Sequence, residues 1–141
     1  MGPIDLADIA EQALLLIDTP PIIYTLEGHP KYAARFAPLF DAHAKGRLRF
    51  AVTTVTIAEV MTGPFKAGND VLARRYRTIL DSWRAVALDA EIAESTARLR
   101  ASLGLKLADA VQLASALSVN ADALVTHDRD FARVRSLRII S

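Results

Sequence analysis

The sequence predicts an α/β fold in which a mostly parallel central sheet is flanked by helices. Two observations lead there. Five short apolar runs recur along the chain, and longer segments of helical periodicity separate them, with no repeat or low-complexity stretch between. The runs cover residues 13–17, 48–52, 85–88, 123–126 and 137–140, lengths that suit strands covered on both faces. With 141 residues, 52% of them hydrophobic, the chain suits one domain over 1–141, with 1–12 as a lead-in segment. A domain of that size buries roughly 70% of its unfolded surface.

Taken in order, PIDLADIAEQ has a weak helical pattern and reads as a lead-in turn or short helix. The first strand stops at Asp18. Thr19 then suits an N-cap, with Pro20 at the first helical position and Pro21 behind it, where backbone N–H groups have no intrahelical partner anyway. Asp18 therefore stands between a strand end and a helix start, a place where an isolated aspartate is ordinarily a turn residue. After the second strand, TTVTIAEVMTGP holds a helix whose apolar positions are Val55, Ile57, Ala58, Val60 and Met61. Glu59 is the one ionisable group in that stretch. Thr56 and Glu59 have capping-box spacing, and Gly63 and Pro64 should end the helix.

Beyond the third strand, Leu107, Ala110, Val111, Ala114 and Leu117 form an apolar helical stripe. Asp109 lies in its first turn, where the macrodipole favours negative charge. After the fourth strand, Asp128 is placed to cap a short turn containing Asp130 and Phe131. Each acid thus has a structural explanation when taken alone.

Together they have another. In a parallel sheet the strand ends and the starts of the following helices converge on one edge, where ligands bind. Asp18 and Asp128 at strand ends, and Glu59 and Asp109 in helix first turns, should face one crevice. Four crowded carboxylates raise one another's pKa unless a cation neutralises them. An all-oxygen donor set suits Mg²⁺ or Mn²⁺. Such an ion lowers the pKa of bound water and stabilises a departing oxyanion, which is the chemistry of phosphodiester hydrolysis.

The stretches DTPPIIYTLEGHP, TTVTIAEVMTG, LKLADAVQLASAL and LVTHDRDF resemble the four ordered acidic motifs of the PIN-domain family, especially VapC-like toxins of toxin–antitoxin pairs. The resemblance runs from Leu14 onward. It implies a PIN-like three-layer fold and a metal-dependent endoribonuclease that leaves 5′-phosphate and 3′-hydroxyl ends. Asp18, Glu59, Asp109 and Asp128 would be the catalytic and metal-binding acids, with Asp130 assisting or substituting for Asp128. Pro20 replaces a polar residue common in relatives, and His127 stands where relatives often carry asparagine. Thr126 is placed to steady a carboxylate through its hydroxyl.

Partners follow from charge and apolar patterning. The balance of 17 basic against 16 acidic residues becomes 17 against 12 once the four acids are set aside, so the remaining surface is mildly basic. Arg74, Arg75, Arg77 and Arg84 form one group and Arg129, Arg133, Arg135 and Arg138 another, both suited to RNA phosphates. Tyr24, Leu26, Tyr32, Phe36, Leu39 and Phe40 predict a homodimer contact and a groove for an antitoxin. Without cysteine the chain has no disulfide framework or thiolate metal site. Without a targeting or membrane segment in view, the expectation is a cytoplasmic protein. One rival is a non-cleaving PIN-like module that binds RNA or assists assembly. A receiver-type signalling domain is another, but it needs an acidic pair after the first strand and a lysine after the fifth, and this sequence has neither.

Overall fold

The computed structural model describes residues 2–141. Five strands, β1 (Leu14–Ile17), β2 (Arg49–Thr53), β3 (Arg84–Val86), β4 (Ala123–Val125) and β5 (Arg138–Ile140), form one sheet in the order β3-β2-β1-β4-β5. Every neighbouring pair is parallel. Helices α1 (Thr19–Glu27) and α2 (Ala33–Ala44) connect β1 to β2, and α3 (Thr54–Lys66) and α4 (Asp70–Asp81) connect β2 to β3. Helices α5 (Ala90–Leu103) and α6 (Leu107–Ser118) carry the chain across to β4, and a 3₁₀ turn at Arg129–Arg133 precedes β5.

Strand periodicity splits the core in two. Leu15 and Ile17 join Phe50, Val52 and Val125 under Ile22, Phe36, Leu39, Val60 and Leu80 of the first four helices. Leu14 and Leu16 face the other way, with Ala51 and Leu124, toward Ile92, Ala110 and Leu113 of α5 and α6. The result is three layers, as expected. Because successive side chains of a strand point to opposite faces, a fully apolar run such as LLLI is the signature of a strand covered on both sides. The order places β1 and β4 side by side, with connections leaving in opposite directions. That is a topological switch point, where a crevice opens beyond the strand ends. A receiver-type sheet has the order 2-1-3-4-5, so this topology excludes that rival.

Four local expectations need correction. The N-cap of α1 is Asp18 rather than Thr19; its carboxylate accepts the Thr19 N–H, and Pro20 and Pro21 follow one position deeper than expected. Thr53 caps α3 by accepting the Thr56 N–H at 3.1 Å, so Thr56 and Glu59 form no capping box and Glu59 lies in the second turn. Helix α3 also runs through Gly63 and Pro64 to Lys66. The Pro64 ring is buried and leaves the Val60 carbonyl without its usual N–H partner, while the Gly63 and Pro64 carbonyls accept N–H groups from Ala67 and Asn69. Finally, of the expected partner face Phe36 and Leu39 are fully buried core, whereas Tyr24, Leu26, Tyr32 and Phe40 are half-buried. The exposed large apolar side chains include Phe65, Val71 and Ile79 on α3 and α4. The lead-in segment forms turns rather than a helix. Among the described residues, no helix is long and apolar enough to cross a membrane.

Candidate active site

The sheet edge beyond β1 and β4 gathers the acids. Asp18 is buried and makes three hydrogen bonds. Its Oδ1 accepts the Thr19 N–H and Gln112 Nε2, each at 2.8 Å, and its Oδ2 accepts the Thr126 hydroxyl at 2.8 Å. A carboxylate can accept about four hydrogen bonds, so Asp18 is fixed in orientation while retaining acceptor capacity. Thr126 also accepts the Asp128 N–H at 3.0 Å, which ties the end of β4 to the end of β1.

Gln112 organises the buried side of this edge. Its Nε2 donates to Asp18 Oδ1 and to Thr56 Oγ1 at 2.7 Å, while its Oε1 accepts the Thr53 hydroxyl at 2.8 Å. Thr19 Oγ1 donates to Glu59 Oε1 at 2.8 Å and lies 2.9 Å from Thr56 Oγ1. One proton per hydroxyl sets the direction of this last contact. Thr19 spends its proton on Glu59, so Thr56 donates to Thr19. A single chain of bonds therefore runs from Thr53 through Gln112 and Thr56 to Thr19 and Glu59, with a branch to Asp18. Sequence reading missed Gln112. Its signal was a long polar side chain three residues after Asp109, inside a wholly buried helical stretch whose other polar member is the small Ser115.

Asp109, Asp128 and Asp130 form the facing group, each offering one carboxylate oxygen, all within 4.8 Å of one another. Asp109 is buried, and its Oδ2 has no hydrogen-bond partner. Asp128 caps the 3₁₀ turn by accepting the Asp130 N–H at 2.9 Å, as expected, and Lys106 Nζ comes no nearer than 4.0 Å to Asp130. Burial, then the charge of Asp128 and a hydrogen bond to its carboxylate, then the charges of Asp18 and Asp130, push the Asp109 carboxyl up to about 7. Of the expected acids, Asp109 and Asp128 meet directly, with Asp130 beside them, and Asp18 is close enough to act on Asp109. Glu59 is exposed and reaches Asp18 only through the Thr19 residue.

Of the first basic group, Arg74, Arg75 and Arg84 are exposed, and Arg77 pairs with Asp81 on α4. Arg133, Arg135 and Arg138 donate to the carbonyls of Leu103, Ala132 and Asp8, respectively. Arg129, exposed beside Asp128, is the member of the C-terminal group that lines the crevice.

A family model described as PIN domain matches residues 15–137. Among solved structures, the chain is similar to a toxin–antitoxin complex from Klebsiella pneumoniae, with 26% identity and a TM-score of 0.71, covering 90% of this chain and 96% of that one. It is similar to VapBC2 from Rickettsia felis, solved bound to a DNA fragment from their promoter, at 19% identity and TM-score 0.71, covering 89% and 96%. It is also similar to VapBC-5 from Mycobacterium tuberculosis, a member of the VapBC family of toxin-antitoxin systems, at 25% identity and TM-score 0.58, covering 91% and 98%. No curated protein matches this chain.

Proposed function

Because this chain belongs to the PIN-domain family, we propose that it is a divalent-metal-dependent endoribonuclease and the toxin of a toxin–antitoxin pair. The observation that carries the reading is the buried, unpartnered Asp109 Oδ2 within a cluster of carboxylates at the switch point of the sheet. A buried acceptor without a donor is costly and rare. A hard cation relieves both the unpaired oxygen and the mutual repulsion. The donor set is all oxygen, which fits Mg²⁺ or Mn²⁺.

Asp18, Asp109 and Asp128 would hold the ion, with Asp130 beside them and Glu59 joining directly or through water. When bound, the ion would supply an acidified water and stabilise the charge of the departing oxygen. The chain's own residues supply orientation. Thr19, Gln112 and Thr126 fix Asp18 and leave one acceptor site, on Oδ2, for an ion. Thr19 holds Glu59 by one oxygen, leaving the other to accept a proton from an attacking water. Water attack on phosphorus, with departure of the 3′ oxygen, leaves 5′-phosphate and 3′-hydroxyl ends.

Similar solved structures include toxin–antitoxin assemblies, which supports an antitoxin partner; the reading further places that partner on this sheet edge and takes the protein to be a cytoplasmic homodimer. The test is cleavage of RNA by the purified chain. Cleavage should stop with EDTA, return with Mg²⁺ or Mn²⁺, yield 5′-phosphate ends, and vanish in Asp18→Asn. Full cleavage in EDTA would refute the metal mechanism.

A further inference from the structure

Three half-buried rings have no part in the chemistry above. Tyr24 on α1, Tyr32 just ahead of α2 and His127 just after β4 converge on the crevice. The His127 ring centroid lies 4.5 Å from that of Tyr32 at an interplanar angle of 62°, and 5.5 Å from that of Tyr24 at 83°. The Tyr24 hydroxyl is 3.0 Å from His127 Nδ1, which fixes the imidazole in the wall. Core packing at this place falls to Phe36, fully buried beneath them with its centroid 5.8 Å from that of His127.

His127 lines two adjoining cavities. One, of about 470 Å³, is shared with Tyr24, Asp128 and Arg129. The other, of about 310 Å³, is shared with Tyr32, Lys31 and Arg129. Both fall within the usual range for small-ligand sites, roughly 300–1,000 Å³. The aromatic wall is therefore continuous with the acidic cluster through Asp128. Lys31 and Arg129 stand exposed on its rim; among the described residues neither enters an ion pair, and the Lys31 ammonium lies 5.3 Å from the Tyr32 ring centroid. Aromatic rings for bases and exposed cations for phosphates are the two elements of single-strand recognition, and a base entering here would take the place of the His29 ring, whose centroid lies 4.8 Å from that of Tyr32 at 24°.

We propose that Tyr24, Tyr32 and His127 form a nucleobase subsite for single-stranded RNA, in which one base stacks in the crevice while Lys31 and Arg129 meet the flanking phosphates. The occupant's identity rests on the ribonuclease reading. A base held here places an adjoining phosphodiester beside Asp128. Duplex RNA keeps its bases stacked on one another and would not fill the wall.

The test uses the full chain carrying Asp109→Asn, which should bind RNA in Mg²⁺ without cutting it. Fluorescence anisotropy compares a labelled octaribonucleotide with an abasic ribose-phosphate octamer of equal charge. Stacking contributes about 1–3 kcal/mol per base, so the base-bearing octamer should bind roughly 5- to 150-fold more tightly. Adding Tyr32→Leu should shrink that ratio below about threefold, and Tyr32→Phe should preserve it. Arg129→Gln and Lys31→Gln, at exposed positions, should keep the ratio while each lowers the slope of log affinity against log salt by about 0.7. If Tyr32→Leu does not fold, His127→Ala takes its place with the same fall in the ratio expected, because the salt slopes report phosphates and not the base. Equal affinity for the two octamers, a ratio indifferent to Tyr32→Leu in a folded protein, or unaltered salt slopes would overturn the proposal. So would a Tyr32→Leu protein that loses affinity for an antitoxin but not for RNA. The ribonuclease reading fails on a different result, namely no RNA cleavage by the unaltered chain in Mg²⁺ or Mn²⁺. A Tyr32-dependent ratio would survive that failure.

Discussion

Replacing Asp109 with asparagine should stabilise the metal-free protein at alkaline pH while abolishing activity. The Asp109 carboxyl titrates near 7 when folded, against 3.8 for the ordinary group, because burial and the charges of Asp128, Asp18 and Asp130 oppose its ionisation. Between those two values the folded chain holds a proton that the unfolded chain has lost. Stability must therefore fall as pH rises through that window. At about 1.4 kcal/mol per pH unit, an interval of roughly three units corresponds to a ceiling near 4 kcal/mol at pH 8. Asparagine keeps the shape, removes the charge and brings an N–H group to the acidic cluster. In EDTA at pH 8, Asp109→Asn should unfold about 2–4 kcal/mol later than the unaltered chain in urea, which corresponds to a Tm gain of roughly 5–15 °C. At pH 4 the two should nearly coincide, so the comparison subtracts every other titrating group. Saturating Mg²⁺ should then raise the Tm of the unaltered chain and leave that of Asp109→Asn almost unmoved. An Asp109→Asn protein less stable than the parent in EDTA at pH 8, or a difference that does not change with pH, would refute the reasoning.

Gln112→Leu keeps the volume but removes one of the two hydrogen bonds to Asp18 Oδ1 and one partner each from the Thr53 and Thr56 hydroxyls; urea denaturation should show a loss of about 2–4 kcal/mol, with activity falling as Asp18 is held less firmly. Glu59→Gln removes an exposed charge from a helix capped by Thr53, so stability should change by less than about 1 kcal/mol while RNA cleavage collapses; a fully active variant would remove Glu59 from the site. Phe36→Ala empties a fully buried position beneath the aromatic wall and should cost about 3–5 kcal/mol by the same assay, whereas a loss below 1 kcal/mol would mean that the ring faces a partner instead.

Much of the site was legible because its acids sit at places that local chemistry marks. Asp18 follows a strand and precedes two prolines, Asp109 opens an apolar helix, and Asp128 precedes a short turn. What local reading could not weigh was competition between neighbouring caps. Asp18 and Thr19 are both good N-caps, as are Thr53 and Thr56, and in each pair the residue at the strand end prevailed because its backbone is still extended there. The Gly63-Pro64 pair misled for a related reason, since a helix terminates when its polar groups find other partners and burial of the proline ring deferred that.

The sequence by itself determined the α/β class, the two-sided burial of the strands and the chain positions of the acids, because periodicity and turn chemistry act over a few residues. Only the tertiary structure decided which polar side chains meet. Gln112 is 94 positions from Asp18, and His127 is 103 from Tyr24, so no local rule connects them. Their contacts depend on the strand order that sets β1 beside β4 and on the helices stacked against each face of the sheet. The fate of the arginines was decided in the same way. Arg133 and Arg138, themselves exposed, each donate to a carbonyl of a remote segment, while Arg129, one residue from Asp128, lines the crevice. A charge is committed or free according to what the folded backbone brings within about 3 Å of it, and composition carries no record of that.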